Sequence, residues 1–428
     1  MLTGRLFGLF FILFFAVSAQ AAGSVPVIVK VSPIANISLI ASTLGGTVLD
    51  SLPGANTYLL KLPSLPLLTT ALQLLGVQWI EQNKLMAQPR FAPVAMLSTP
   101  GATAADWYKY EPSMMLIRSN SAQTYSTGRG VVVADINSQV DYGHQALIGH
   151  LTSGYDFVAS TPASTATLNQ SSAGFLDQSS AGFLDQSSAG FLDQSTAGFL
   201  DGKGVSILNQ STAGFLDGTN PAYSHGTLCA GIIAAVAPNA MIMPLRAFDS
   251  NGSADTFTLA KAIRYAAQHG AQVLNMSFGT LTDVKVLKEA VQFAQKSNVI
   301  LVSSAGNNGT STPQYPASYS GVLGSAATDL FDVKSSFSNY GTTNVFVDAP
   351  GSYIISTYPG GKYSIVSGTS FSAPAVAGTA ALVRSLKATG AASYISNAAV
   401  KIDSKNPSYS GKLGYGRIDV LNAVKAAQ

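Results

Sequence analysis

Beyond residue 130 the chain alternates short apolar runs with longer helical ones, and this alternation does most to restrict its fold. Val131–Asp135, Met241–Leu245, Gln272–Met276, Val299–Ser303 and Gly321–Ala326 read as strands, while residues near 225–236, 257–269 and 284–296 have helical spacing. Val131 to Ala134 shows no polar alternation, as in a parallel strand buried on both faces. The pattern predicts an α/β fold, a three-layer parallel sheet with helices on both faces. Open sheets of this kind collect reactive groups at the carboxyl ends of their strands. Asn137 and Asn307 both fall at such ends.

The segment Gly368-Thr369-Ser370-Phe371-Ser372-Ala373-Pro374 delivers a hydroxyl from a glycine-led turn. Pro374 suits a first helical turn, and the alanine-rich run Ala375 to Leu386 reads as a buried helix. A serine there sits among unpaired N–H groups at the positive end of the helix dipole, which suits a nucleophile beside an oxyanion. A hydroxyl nucleophile needs a base, and the chain has four histidines. His225 lies in Ser224-His225-Gly226-Thr227, at the head of an apolar helix, and best suits that task. His269 stands at a helix end, and His144 and His150 flank a short apolar stretch and read as surface residues. Leu301 to Gly309 reads as a buried strand and a Gly-Asn turn. Asn307 there is either turn chemistry or an amide donor to a tetrahedral intermediate.

Together these segments resemble the subtilisin-like serine peptidases, the subtilases. The resemblance rests on Ser224 to Thr227 with Ala230-Gly231, on Ala305-Gly306-Asn307, on Gly368 to Pro374 and on the closing run Gly411 to Val420, and it covers roughly residues 105–428. It implies that His225 and Ser370 are catalytic and that Asn307 is the oxyanion donor. It also implies a substrate strand at Asn275 to Thr280, with Ser277, Phe278, Gly279, Ala305 and Gly306 lining the cleft; Phe278 read from the residues alone is equally a core residue. Small residues there, with no acidic cluster, point to an apolar preference. The family's acid position is altered. A gapless match through Val140-Asp141 and His144 puts Asn137 where an aspartate belongs, and Asp135, two residues earlier, is the alternative acid. Residues two apart on a strand share a face but lie roughly 6–7 Å apart, so Asp135 would need a bulge or a shifted histidine.

The rest of the chain sets the context. Arg5, the apolar run Leu6 to Val17 and Ala19-Gln20-Ala21 have the three parts of a secretory signal over residues 1–21. Residues 24–90 read as strand, helix, two strands, helix and strand, a ferredoxin-like α+β unit. By resemblance it is the inhibitory propeptide, with residues 91–105 as linker and 106–428 as peptidase. Helices are expected over Ile34 to Leu44 and Leu65 to Leu75, the second with Pro66 in its first turn. Residues 170–217 hold six octads of the Gln-Ser-Ser-Ala-Gly-Phe-Leu-Asp type, either a tolerated exposed loop or a binding flap.

Charged residues make up 11% of the chain, with a net charge of +3 and no Lys/Arg cluster, which argues against nucleic acid as a partner. The single cysteine, Cys229, excludes an internal disulfide and lies one turn after His225. No redox or transferable cofactor is implied. Subtilases often hold structural calcium, so calcium stays open, although no dense Asp/Glu loop suited to it occurs. The expectation is an exported, extracellular or periplasmic monomeric endopeptidase. It would have no membrane span after signal cleavage, act on protein or peptide substrates, and be made as a self-processing zymogen inhibited by its own propeptide. The alternative is a catalytically silent subtilase scaffold that binds partners through the octads; a third reading is a secreted esterase, separable by hydrolysis of a simple ester but not of a peptide.

Overall fold

The computed structural model describes residues 24–88, 95–98, 107–160, 206–208, 224–249 and 251–428. The signal-like segment, and the octads apart from Ser206–Leu208, lie outside the described residues. The described residues up to Asn83 and those from Lys84 onward form two compact units.

The first unit runs β1 (Val25–Val31), α1 (Ile37–Thr43), β2 (Thr47–Leu52), β3 (Thr57–Leu62), α2 (Thr70–Leu74) and β4 (Val77–Gln82). Its antiparallel sheet has the order β2-β3-β1-β4, the ferredoxin-like arrangement. Val27, Val29 and Val31 of β1 face a core completed by Ile40, Leu60, Leu62 and Leu72. Both helices are shorter than the sequence predicts. Asn36 caps α1 by accepting from Leu39 N–H, so that helix starts after it. Pro66 does not open the second helix. A residue before proline is biased away from the α region, and α2 begins only after Thr69, whose hydroxyl accepts from Leu72 N–H.

The second unit runs β5 (Leu85–Ala87), β6 (Ala95–Ser98), β7 (Val132–Asn137), β8 (Tyr155–Asp156), β9 (Ser206–Leu208), α3 (His225–Val236), β10 (Met241–Arg246), β11 (Ser253–Asp255), α4 (Thr256–Gln268) and β12 (Val273–Met276). It continues through α5 (Lys285–Lys296), β13 (Ile300–Ser304), β14 (Val322–Thr328), β15 (Val347–Pro350), β16 (Ile354–Tyr358), β17 (Lys362–Val366) and α6 (Thr369–Arg384). Seven strands form one parallel sheet in the order β15-β14-β13-β12-β7-β10-β8. Val133, Val273 and Val302 point to one face, where α3 and α6 pack in the main hydrophobic core. Alternation turns Ala134, Ile136 and Leu274 to the other face, the side of α4 and α5. The stretch read as a linker contributes β6, which pairs with β17 and with β9 from the degenerate octad.

Two local features place the site. Gly226 lets α3 approach the turn after β7, because a Cβ there would collide with the carbonyls of Ser138 and Gln139. Helix α6 starts at Thr369, earlier than the alanine-rich run predicts, so Pro374 lies inside it. Proline cannot donate to the carbonyl four residues back, which is that of Ser370. Ser277 Oγ donates to this carbonyl instead at 3.0 Å, with Cys229 Sγ at 3.5 Å.

Candidate active site

His225 and Ser370 are the first and second residues of α3 and α6, and both are buried. His225 stacks at a tilt against Phe371, with ring centroids 5.6 Å apart. Its Nδ1 lies 2.7 Å from Asn137 Oδ1. Burial pushes the imidazole pKa down to about 3, so the ring is neutral around pH 7. Ser370 Oγ is buried and has no hydrogen-bond partner among the described residues. Its N–H belongs to a first helical turn, where N–H groups lack intrahelical partners.

Asn307 follows β13 and is tied down through its oxygen. Thr369 donates to Asn307 Oδ1 from its N–H at 2.9 Å and from its hydroxyl at 2.7 Å. The Asn307 carboxamide therefore presents its Nδ2–H groups on the side of Gly368, where a Cβ would meet Nδ2 at 3.4 Å. Thr369 also accepts from Gly306 N–H at 3.2 Å, so one threonine orders the whole Gly306-Asn307 turn.

Asp135 and Asn137 share a face of β7. Asn137 meets His225; the hydrogen bonds of Asp135 go elsewhere. Asn275 Nδ2 donates to Asp135 Oδ1 at 2.7 Å, and Asn137 Nδ2 lies 3.2 Å from Oδ2 and 3.4 Å from Oδ1. Asn275 is the register partner of Asp135 in the neighbouring strand β12. The strand stays regular through Asn137, without the bulge that direct contact of Asp135 with the imidazole would need. Burial raises the Asp135 pKa to about 7, against the lowering effect of the two amides.

The expected cleft residues separate into two kinds. Ser277 accepts from Asn275 Nδ2 at 3.0 Å and holds the Ser370 carbonyl. Phe278 is buried against Phe248, with ring centroids 5.6 Å apart, so its side chain belongs to the core and only its backbone can face a cleft. Gly279 and Gly306 flank the Gln314 side chain, which a Cβ on either glycine would strike; Gly306 also has φ +106°. Ala305 is buried, and its carbonyl accepts from Asn339 Nδ2 at 3.0 Å. Gln314 is held by Asn339 Nδ2, which donates to its Oε1 at 3.2 Å. Sequence reasoning passed over Gln314, since nothing in Thr312-Pro313-Gln314 signals a neighbour of Gly279.

It also passed over Gln88. Strand β5 pairs antiparallel with β11, and the next residue, Gln88, donates its N–H to Gly252 O at 2.7 Å. The Gln88 side chain is buried. Its Nε2 lies 2.6 Å from Asn137 Oδ1 and 2.8 Å from His225 Nδ1.

The other histidines stand apart. His144 is buried rather than superficial: its Nε2 meets Lys362 O at 2.8 Å, and its Nδ1 accepts from Ala146 N–H at 3.1 Å. His269 caps a helix end through Tyr265 O. Cys229 is buried, 3.8 Å from His225 Nδ1, and burial first, then Asp135, drives its thiol well above the usual range. It is therefore a neutral packing group at working pH.

Comparison with known proteins bears on the family and the fold. The profile of the subtilase family, peptidase family S8, matches residues 128–416. Thermitase of Thermoactinomyces vulgaris is 43% identical over 216 residues, 48% of this chain and 75% of its own length. A thermophilic serine proteinase of Bacillus sp. strain AK1 is 42% identical over 212 residues, but that match spans only 52% of its own length. Among solved structures, fervidolysin of Fervidobacterium pennivorans has a TM-score of 0.66 at 23% identity, covering 96% of this chain and 62% of that one. The epidermin leader peptide processing protease of Staphylococcus aureus also gives 0.66, at 18% identity, covering 95% and 99%. These two likenesses concern the fold. With the family profile spanning well over half the sequence, the chain belongs to the subtilase family of serine peptidases.

Proposed function

We propose that this chain is an exported serine endopeptidase that cuts peptide bonds through an acyl-enzyme. Ser370 Oγ attacks the peptide carbonyl carbon while its proton passes to His225 Nε2. The oxyanion accepts from Asn307 Nδ2–H and from Ser370 N–H. His225 then returns the proton to the leaving amine, and water releases the acyl group by the same steps in reverse. Asn137 orients the imidazole without adding charge. General-base help of this kind contributes about 10²–10⁴-fold, and an oxyanion amide about 10²–10³-fold. The observation that carries the reading is the 2.7 Å contact of Asn137 Oδ1 with His225 Nδ1, since it supplies an orienting acceptor where the family's aspartate is missing.

The chain would be made as a zymogen. Residues 24–83 are a separate ferredoxin-like unit, and Lys84 to Gln88 run beside β11 and up to the imidazole. Self-cleavage beyond Gln88 would let this segment leave. The apolar start, Leu6 to Val17, supports export. The test is the mass and N-terminal sequence of the purified chain beside Ser370→Ala, with casein digestion on both. Loss of the chain up to a cut within residues 91–105, with digestion by the parent alone, is the expected result. Two full-length, inert chains would overturn it and favour a silent scaffold that binds through its octads.

A further inference from the structure

An asparagine in an acid's position has a defect that a carboxylate lacks: its two ends differ, and only the oxygen can receive an imidazole N–H. Something must decide which end faces His225. In this protein both ends are specified. Asn137 Oδ1 accepts from Ser138 N–H at 2.9 Å, and Nδ2 faces the Asp135 carboxylate at 3.2 and 3.4 Å. Asp135 is itself placed by Asn275 Nδ2 at 2.7 Å, across the β7–β12 register. Turned round, Asn137 would set its oxygen against a carboxylate and its NH₂ against Ser138 N–H. Asp135, Asn137 and Asn275 are all buried, so a mismatched pair would bear the full cost of an unmade buried hydrogen bond.

We propose that Asp135 is a positioning residue of the peptidase reaction, holding Asn137 so that its carbonyl oxygen, not its amide nitrogen, meets His225 Nδ1. The imidazole is thereby kept in the Nδ1–H tautomer, whose Nε2 can take the Ser370 proton. The inference rests on the reading of His225 as the base. It replaces one negative charge beside the ring with a two-part relay, a carboxylate behind and a neutral acceptor in front.

Asp135→Asn tests it, because the new amide rewards the wrong face: its oxygen would accept from Asn275 while its NH₂ donated to a turned Asn137. Turnover (kcat) should fall at least about tenfold, the weight of one buried hydrogen bond, with KM unchanged. Adding Asn137→Asp should restore turnover and carry it above the parent's, since a carboxylate has no wrong face and brings its charge up to the ring. A second readout needs no turnover. In the full chain carrying Ser370→Ala and Gln88→Ala, at pH 9 where Asp135 is ionised, ¹⁵N shifts of the His225 ring should report Nδ1–H, and adding Asp135→Asn should move them to Nε2–H. If the tautomer stays put, the inference fails whatever the turnover. If the tautomer moves while no Ser370-containing chain cleaves anything, the positioning stands and the peptidase reading fails instead.

Discussion

Exchanging the two residues, Asp135→Asn with Asn137→Asp, keeps composition and nearly every hydrogen bond while bringing the charge forward. The amide now at the rear would accept from Asn275 and donate to the carboxylate in front of it. That carboxylate would accept from Ser138 N–H and from His225. In the natural order the carboxylate stands behind an amide whose outer contacts are 3.2 Å and 2.7 Å. That puts the charge at most roughly 8 Å from His225 Nδ1 once the amide's own width is included. At an effective dielectric near 20, a unit charge at about 8 Å steadies an imidazolium by about 2 kcal/mol, and one at hydrogen-bond distance by about 6. The difference, about 4 kcal/mol, is about 10³-fold in rate. The loss of about 10⁴ when another serine peptidase's aspartate becomes asparagine is of the same order. The assay is kcat on a chromogenic peptide at pH 9, where Asp135 with its pKa of about 7 is ionised, with the processed enzyme and a melting curve as control. A swapped enzyme within threefold of the parent, at equal Tm, would refute Asn137 as the partner of the imidazolium in the transition state.

Three further outcomes are expected. Gln88→Ala removes an amide that crowds Asn137 Oδ1 and His225 Nδ1, so self-processing should quicken severalfold, the weight of about one hydrogen bond; unchanged kinetics on a denaturing gel would show Gln88 to be a bystander. Gln314→Ala clears the space between Gly279 and Gly306, so large apolar residues before the cut bond should gain in kcat/KM over small ones, and a peptide-library profile identical to the parent's would count against that. Glu111 is buried, and burial raises its pKa from 4.5 to about 8 against the Ile355 N–H it accepts. Its neutral form is thus the one that suits the fold: its contribution is complete below the ordinary carboxylate range and declines by roughly 1.4 kcal/mol per pH unit until about pH 8. Glu111→Gln should flatten that decline, and Tm curves at pH 5 and pH 8 that fall in parallel for parent and variant would rule it out.

Much of the architecture could be read from local pattern. The strand runs ending near Asn137 and Ser303 and the helices over 225–236, 257–269 and 284–296 lie within about two residues of the observed bounds. Hydrophobic period and element length settle such segments without help from the rest of the molecule. What the pattern missed depends on contacts far apart in sequence. Pro374 signals a helix start, but tertiary donors to the Ser370 carbonyl let α6 begin earlier. Gln314 and Gly279 meet only because the turns after β12 and β13 converge. Asp135 invited the idea of a direct acid, yet its task follows from its neighbour in β12, which no reading of a single strand supplies. Gln88 was hidden in the same way, since its place depends on where β5 pairs.

The proline inside α6 has one more consequence. Because Pro374 cannot hold the carbonyl of Ser370, that carbonyl is held by Ser277 after β12 and by Cys229 on α3. The carbonyl of the nucleophilic residue is thus held by parts of the chain 93 and 141 residues away, not by its own helix. A half-made chain, or one that has regained its helices but not its packing, has no assembled cutting edge. On refolding, far-UV helicity should return before hydrolysis does, so each molecule passes through its loosely packed states before its own site can cut.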